Sequence, residues 1–225
     1  MKYDIILTDI DNTLLDFSAD ARQALEVTLT ERGLAFDDAR WDAYHRINDE
    51  LWRDFDQGKI EKKFIYPERF RRFLENQNID GDYMEFNLSY MKHLAQGNHQ
   101  YPDSRRLLEA LRAMGCEIYG ATNGETTIQT TRMTTSGLRP LFDGMYISEQ
   151  MGTQKPAKEY FDMIFAEIGE EKRKRAIMLG DSLSSDMQGG RNAGIATCFF
   201  GDPNKADGRC DYVITELMQF TEIIR

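Results

Sequence analysis

The chain has 225 residues, 41% of them apolar, and a formal charge of −10. That length admits one α/β core with a large insertion, and no apolar run approaches the roughly 18 residues a membrane span needs. The acidic balance argues against a nucleic-acid partner, which is bound through basic surface, but not against a small phosphorylated one, because a cation and a few amides can reverse the field locally.

The first element is the run Ile5–Thr8, apolar and partly β-branched, which predicts a strand buried on both faces of a parallel sheet. It runs into Asp9 and Asp11, two acids around one small pocket, followed by Asn12 and Thr13. Such a pair is costly to build without a cation. Asp-Asn-Thr is also ordinary turn chemistry, so its meaning depends on the rest of the chain.

Helical spacing follows for about 80 residues, over Asp20–Gly33, Arg40–Gln57, Lys62–Gln77 and Asp82–Gln96. Four helices without a strand predict a small α-helical domain over 17–97, inserted into a core made of 1–16 and 98–225. Asp16-Phe17 and Gly97-Asn98 are the two crossings and the expected hinges. The insertion's many aromatic rings are expected to form mainly its own core. Its cations Lys62, Lys63, Arg69, Arg71 and Arg72 alternate with Glu61, Glu68 and Glu75, which predicts a solvated helix face.

From Tyr101 the pattern is βα. Helix Ser104–Met114 stops at Gly115, strand Glu117–Ala121 leads to Thr122-Asn123-Gly124, and a helix covers Thr126–Ser136. Tyr146-Ile147 is a short strand before the loop that carries Lys155-Pro156, then comes helix Glu159–Ile168. The charged run Glu170–Arg175 is a polar connector. Strand Ala176–Leu179 ends in Gly180-Asp181, helix Asp186–Ala193 follows, and strands Ala196–Phe200 and Tyr212–Ile214 precede the last helix. Strands separated by helices imply a Rossmann-like parallel sheet, with its ligand site beyond the carboxyl ends of the strands. Cys116, Cys198 and Cys210 are odd in number and lack any ligand or disulfide spacing. The amino-terminal residues show no export or organelle pattern, so a soluble cytoplasmic protein is expected, monomer or homodimer.

Four polar clusters each follow a predicted strand: Asp9/Asp11/Thr13, Thr122/Asn123, Lys155-Pro156 and Gly180-Asp181 with Asp186. Asp9 and Asp181, with a third oxygen and waters, are hard ligands of the kind Mg²⁺ prefers, and Mg²⁺ would pair with a substrate phosphate. Lys155 and Thr122, with backbone N–H groups, could neutralise and orient a phosphoryl group. In this order the clusters resemble the haloacid dehalogenase-like hydrolase superfamily over nearly the whole chain, and the helical insertion resembles its cap domain.

The resemblance implies roles. Asp9 matches the nucleophile that forms an aspartyl-phosphate. Asp11 matches the general acid and base, its main-chain carbonyl a third Mg²⁺ ligand. Asp181 matches the direct metal ligand, and Asp186 a carboxylate that holds metal waters or Lys155. Thr122, Asn123 and Lys155 match the phosphate-binding positions, and Thr13 would fix the turn. An acid at Asp11 implies a phosphatase, since the dehalogenases usually lack it. Thr153-Gln154 and Ala157 are mild departures around Lys155.

Leu51-Trp52-Arg53-Asp54-Phe55 with Gly58-Lys59-Ile60, Ile147-Ser148-Glu149 and Asn192–Cys198 are similar to the bacterial pyrimidine 5'-nucleotidases. A nucleoside monophosphate is then the implied substrate, with Asn48, Trp52 and Lys59 as candidate contacts to base or ribose. The motifs also admit a sugar-phosphate phosphatase or a phosphomutase of the β-phosphoglucomutase kind. A phospho-accepting receiver module shares the acids and the lysine, but is about half this length and has no helical insertion.

Overall fold

The computed structural model describes all 225 residues. They form two compact units, one of Met1–Phe17 with Asn98–Arg225 and the other of Ser18–Gly97.

The first unit is built on a six-stranded sheet of β1 (Ile5–Thr8), β2 (Glu117–Thr122), β3 (Gly144–Ile147), β4 (Ala176–Gly180), β5 (Ala196–Phe200) and β6 (Tyr212–Ile214), ordered β3-β2-β1-β4-β5-β6. Every pairing is parallel, with Thr8 level with Gly120 on one side and Leu179 on the other. Alternation along each strand divides the core in two. Ile6, Ile118, Ile177 and Cys198 pack with Leu107, Leu108 and Leu111 of α5 (Ser104–Ala113) and with Phe220. Ile5, Leu7, Tyr119 and Met178 pack on the other face with Phe161, Ile164 and Phe165 of α8 (Lys158–Ile168). A strand covered on both faces is uniformly apolar, which is why β1 reads as it does. The strand order reverses direction at β1, so the crevice beside its carboxyl end is the topological switch point.

Helices α6 (Thr126–Thr135), α7 (Ser148–Met151), α9 (Gln188–Ala193) and α10 (Phe220–Ile223) complete this unit. One correction concerns the start of α9. The predicted helix over Asp186–Ala193 is preceded by a π-helical turn, Leu183–Met187, which carries Asp186.

The second unit contains α1 (Phe17–Thr30), α2 (Asp38–Asp56), α3 (Lys62–Gln77) and α4 (Tyr83–Leu94). Tyr44, Phe70, Phe73, Phe86 and Tyr90 are buried there and meet ring to ring at centroid distances of 5.2 to 6.2 Å. The expected solvated basic face is corrected at Arg69, which is 1% exposed. Its guanidinium donates from Nη2 to Asn87 Oδ1 at 3.0 Å and lies over the Tyr90 ring. Residue 69 falls four places after Ile65 and four before Phe73, on the apolar stripe, whereas Arg71 and Arg72 face outward and pair with Glu68.

Arg69→Ala is therefore expected to cost about 2 to 4 kcal/mol, through lost packing and an orphaned Asn87 carbonyl. Arg71→Ala should cost less than about 1 kcal/mol. Both tryptophans, Trp41 and Trp52, lie in α2, so urea unfolding followed by their fluorescence reads this unit directly.

Candidate active site

Asp9 is the residue after β1, and its N–H donates to Leu179 O on the neighbouring strand at 2.9 Å. The chain then turns sharply: Leu14 and Leu15 both donate to Ile10 O, and Asn12 takes the left-handed conformation with φ 57°. Asn is among the few residues that tolerate it. Thr13 is fully buried in this turn and donates to Asp181 Oδ1 at 3.4 Å, which ties the first motif to the end of β4.

Lys155 reaches the same place from the loop after α7. It is 2% exposed, and its ammonium donates to Asp9 Oδ1 at 2.7 Å and Asp186 Oδ1 at 2.6 Å, leaving a third N–H to offer. The second Asp186 oxygen accepts from the Ser182 N–H at 3.0 Å. Asp186 lies so close to the β4 backbone that a Cβ on Gly180 would fall 2.2 Å from Oδ2. Only glycine fits there, and the π-helical turn is what swings the carboxylate back over it.

Asp9, Asp181 and Asp186 bring ligand oxygens within 4.8 Å of one another. Burial pushes the Asp9 carboxyl up to about 7; Lys155 opposes the rise, and Asp186 and Asp11 add to it. Asp181 is raised well above the usual range, by burial first and then by Asp9 and Asp186. Burial would lower Lys155, but Asp186 and Asp9 outweigh it and hold its ammonium above the usual lysine range. Three carboxylates share one ammonium, so a divalent cation with a preference for oxygen fits the donor set. Both Asp186 oxygens already accept hydrogen bonds, so Asp9 and Asp181 are the residues that could hold it.

A second group surrounds Asp11. Arg132 of α6 forms an ion pair with Asp11 Oδ1, and Gln129 Nε2 donates to Asp11 Oδ2 at 2.7 Å. The same Gln129 nitrogen lies 2.7 Å from Thr122 Oγ1, which also accepts from the Gly124 N–H at 3.0 Å. Gln129 and Arg132 are buried and were not among the residues expected from the sequence.

Asn123, expected at the phosphate, also holds the lysine loop. Its Oδ1 accepts from Lys155 N at 3.0 Å and one Nδ2 proton is donated to Lys155 O at 2.9 Å, which leaves the second Nδ2 proton and the main-chain N–H to offer a phosphoryl group. The three residues expected at base or ribose all lie in the helical unit. Asn48 is buried with Oδ1 lacking a hydrogen bond, Trp52 packs edge-to-face on Phe55, and Lys59 pairs with Asp54 at 2.9 Å.

A family model described as haloacid dehalogenase-like hydrolase matches residues 3–194. The pyrimidine 5'-nucleotidase PynA of Streptococcus pneumoniae is 39% identical over 202 residues, covering 89% of this chain and 84% of that protein. The pyrimidine 5'-nucleotidase YjjG of Escherichia coli is 33% identical over 199 residues, covering 88% and 86%. The magnesium-bound crystal structure of the HAD-hydrolase YfnB from Bacillus subtilis superposes with a TM-score of 0.91 at 30% identity, covering 100% of this chain and 99% of that one. No helix of this chain is long and apolar enough to cross a membrane.

Proposed function

Because the chain belongs to the haloacid dehalogenase-like hydrolases, we propose that it is a Mg²⁺-dependent phosphatase that acts on pyrimidine nucleoside 5'-monophosphates through an aspartyl-phosphate. The observation that carries this reading is the cluster of buried Asp9 and Asp186, both paired with Lys155, and half-buried Asp181 at the switch point of the sheet. The nucleotide class is supported by the names of PynA and YjjG, and the metal by the magnesium of YfnB.

In this mechanism an Asp9 oxygen attacks phosphorus and the bond to the ester oxygen breaks. Asp11 gives that oxygen a proton, and the nucleoside leaves. The Asp11 carboxylate then takes a proton from water, whose oxygen attacks the same phosphorus and restores the Asp9 carboxylate with release of phosphate. Lys155 and Thr122 hold the phosphoryl oxygens as charge builds on them. When bound, Mg²⁺ supplies charge neutralisation at Asp9 and Asp181. Selectivity for the organic part of the substrate is assigned to the helical unit, with Asn48, Trp52 and Lys59 as the candidates.

The test is phosphate release from pyrimidine and purine 5'-monophosphates, hexose phosphates and phosphoglycolate, with Mg²⁺ and with chelator. Pyrimidine monophosphates should lead, and chelator should stop turnover. If hexose phosphates lead, the phosphatase reading stands and the nucleotidase reading falls.

Stability gives a separate readout. Asp9 is raised above its unfolded value in the metal-free protein, so its contribution favours folding below about pH 4 and is lost as pH rises through about 7. In chelator the melting temperature should therefore fall between pH 5 and pH 8, by about 5 °C or more. Millimolar Mg²⁺ should remove most of that slope. A flat profile in chelator would count against a strained acidic cluster.

A further inference from the structure

We infer that Gln129 is a positioning residue that sets Asp11 and the Thr122 hydroxyl together, and that residue 124 is glycine to make room for it. The inference rests on the phosphatase reading above, in which Asp11 moves protons and Thr122 meets the phosphoryl group.

The Gln129 amide carries two N–H donors on Nε2, and the structure uses them on Asp11 Oδ2 and Thr122 Oγ1, each at 2.7 Å. Its orientation is settled by the other end, where Oε1 accepts from Arg132 Nη1 at 3.3 Å. A flipped amide would place a donor against the guanidinium and an acceptor against the carboxylate.

The Thr122 hydroxyl has two lone pairs and one proton. Gln129 Nε2 and Gly124 N fill the lone pairs. The proton is therefore left to be donated outward, which is the polarity a phosphoryl oxygen requires. The amide thus fixes one oxygen of the acid–base carboxylate, Arg132 holding the other, and with the Gly124 N–H turns the threonine into an obligate donor. Gln129 is 1% exposed and Thr122 equally so, so water does not compete for these bonds.

Gly124 supplies an independent observation. A Cβ at this position would lie 2.5 Å from Gln129 Cγ and Nε2, a distance that real Cβ atoms do not show. Gln129 therefore reaches Thr122 only across a residue without a side chain.

The experiment compares Gln129→Met, Gly124→Ala and Asp11→Asn on a nucleoside monophosphate and on p-nitrophenyl phosphate, whose leaving group needs little protonation. The kcat ratio between the two substrates does not depend on how much protein is folded, so a purely structural defect leaves it unchanged. Gln129→Met should lower kcat on the nucleotide by about 100-fold and on the aryl phosphate by about 10-fold or less, with KM for both raised severalfold because Thr122 can turn. Gly124→Ala should change the ratio in the same direction with Gln129 still present.

If Asp11→Asn shifts the ratio and neither Gln129→Met nor Gly124→Ala does, the positioning role is overturned. If Asp11→Asn itself leaves the ratio unchanged, the acid–base reading of Asp11 fails first, and a KM raised alike for both substrates in Gln129→Met then tests the Thr122 arm alone. An unchanged KM would overturn that arm as well.

Discussion

Asp9→Asn should bring phosphate release down by roughly 10⁵-fold or more, the scale on which deletion of a nucleophile acts. The fold should survive. Asparagine has the same shape, its Oδ1 can still accept from Lys155, and the substitution removes one of three clustered like charges. In the metal-free protein the variant should be as stable as the parent or more so. The parent quenched in acid during turnover of a labelled phosphate ester should carry label that hydroxylamine releases, as an acyl phosphate does, and Asp9→Asn should carry none. Retention of a tenth of the parent's turnover would remove Asp9 from the nucleophile's role.

Lys155→Met should be the most damaging single change to stability. It leaves the buried Asp9 and Asp186 carboxylates without their ammonium, a situation that costs about 3 to 5 kcal/mol in comparable sites. Turnover should fall by about 10³-fold or more, since the same ammonium is assigned to the charge that develops on the phosphoryl oxygens. The two losses separate on titration with Mg²⁺. A bound cation should restore part of the melting temperature, because it answers Asp9 and lies near Asp186, whose Oδ1 is now free of the lysine, and little of the turnover, because it does not replace the third lysine N–H. Recovery of both together would mean that Lys155 only balances charge.

That Asp9, Asp181 and Lys155 would come together was legible because each follows an apolar strand or its loop, and the carboxyl ends of the strands of a parallel sheet converge on one crevice. Asp186 was legible as a residue but not in its geometry, because a π-helical turn has no signature in apolar spacing. Gln129 and Arg132 escaped for a different reason. Helix α6 reads Thr-Thr-Ile-Gln-Thr-Thr-Arg-Met-Thr-Thr, with apolar residues only at Ile128 and Met133, so its buried face is partly polar and periodicity passes over it.

Arg69 shows the opposite failure, since its position was informative and its charge misled. Spacing from Ile65 and Phe73 put it on the inner stripe, while the glutamates beside it suggested a solvated face. Asn123 was placed at the right strand end, but that its amide also holds the lysine loop has no signature in the sequence.

The central strand β1 pairs only with strands that follow the helical unit in the chain: Ile5 lies opposite Glu117 and Ala176. Strand β1, which leads into Asp9, precedes helices α1 to α4 in the chain, so during synthesis it must remain unpaired while those helices form from local contacts. A nascent chain halted at the end of the helical unit thus combines a finished helical bundle with a bare, apolar strand, the kind of edge on which aggregation begins. Asp9, the proposed nucleophile, is thus translated before either strand that pairs with its own, so products of this chain arrested at the helical unit should be both inert and adhesive.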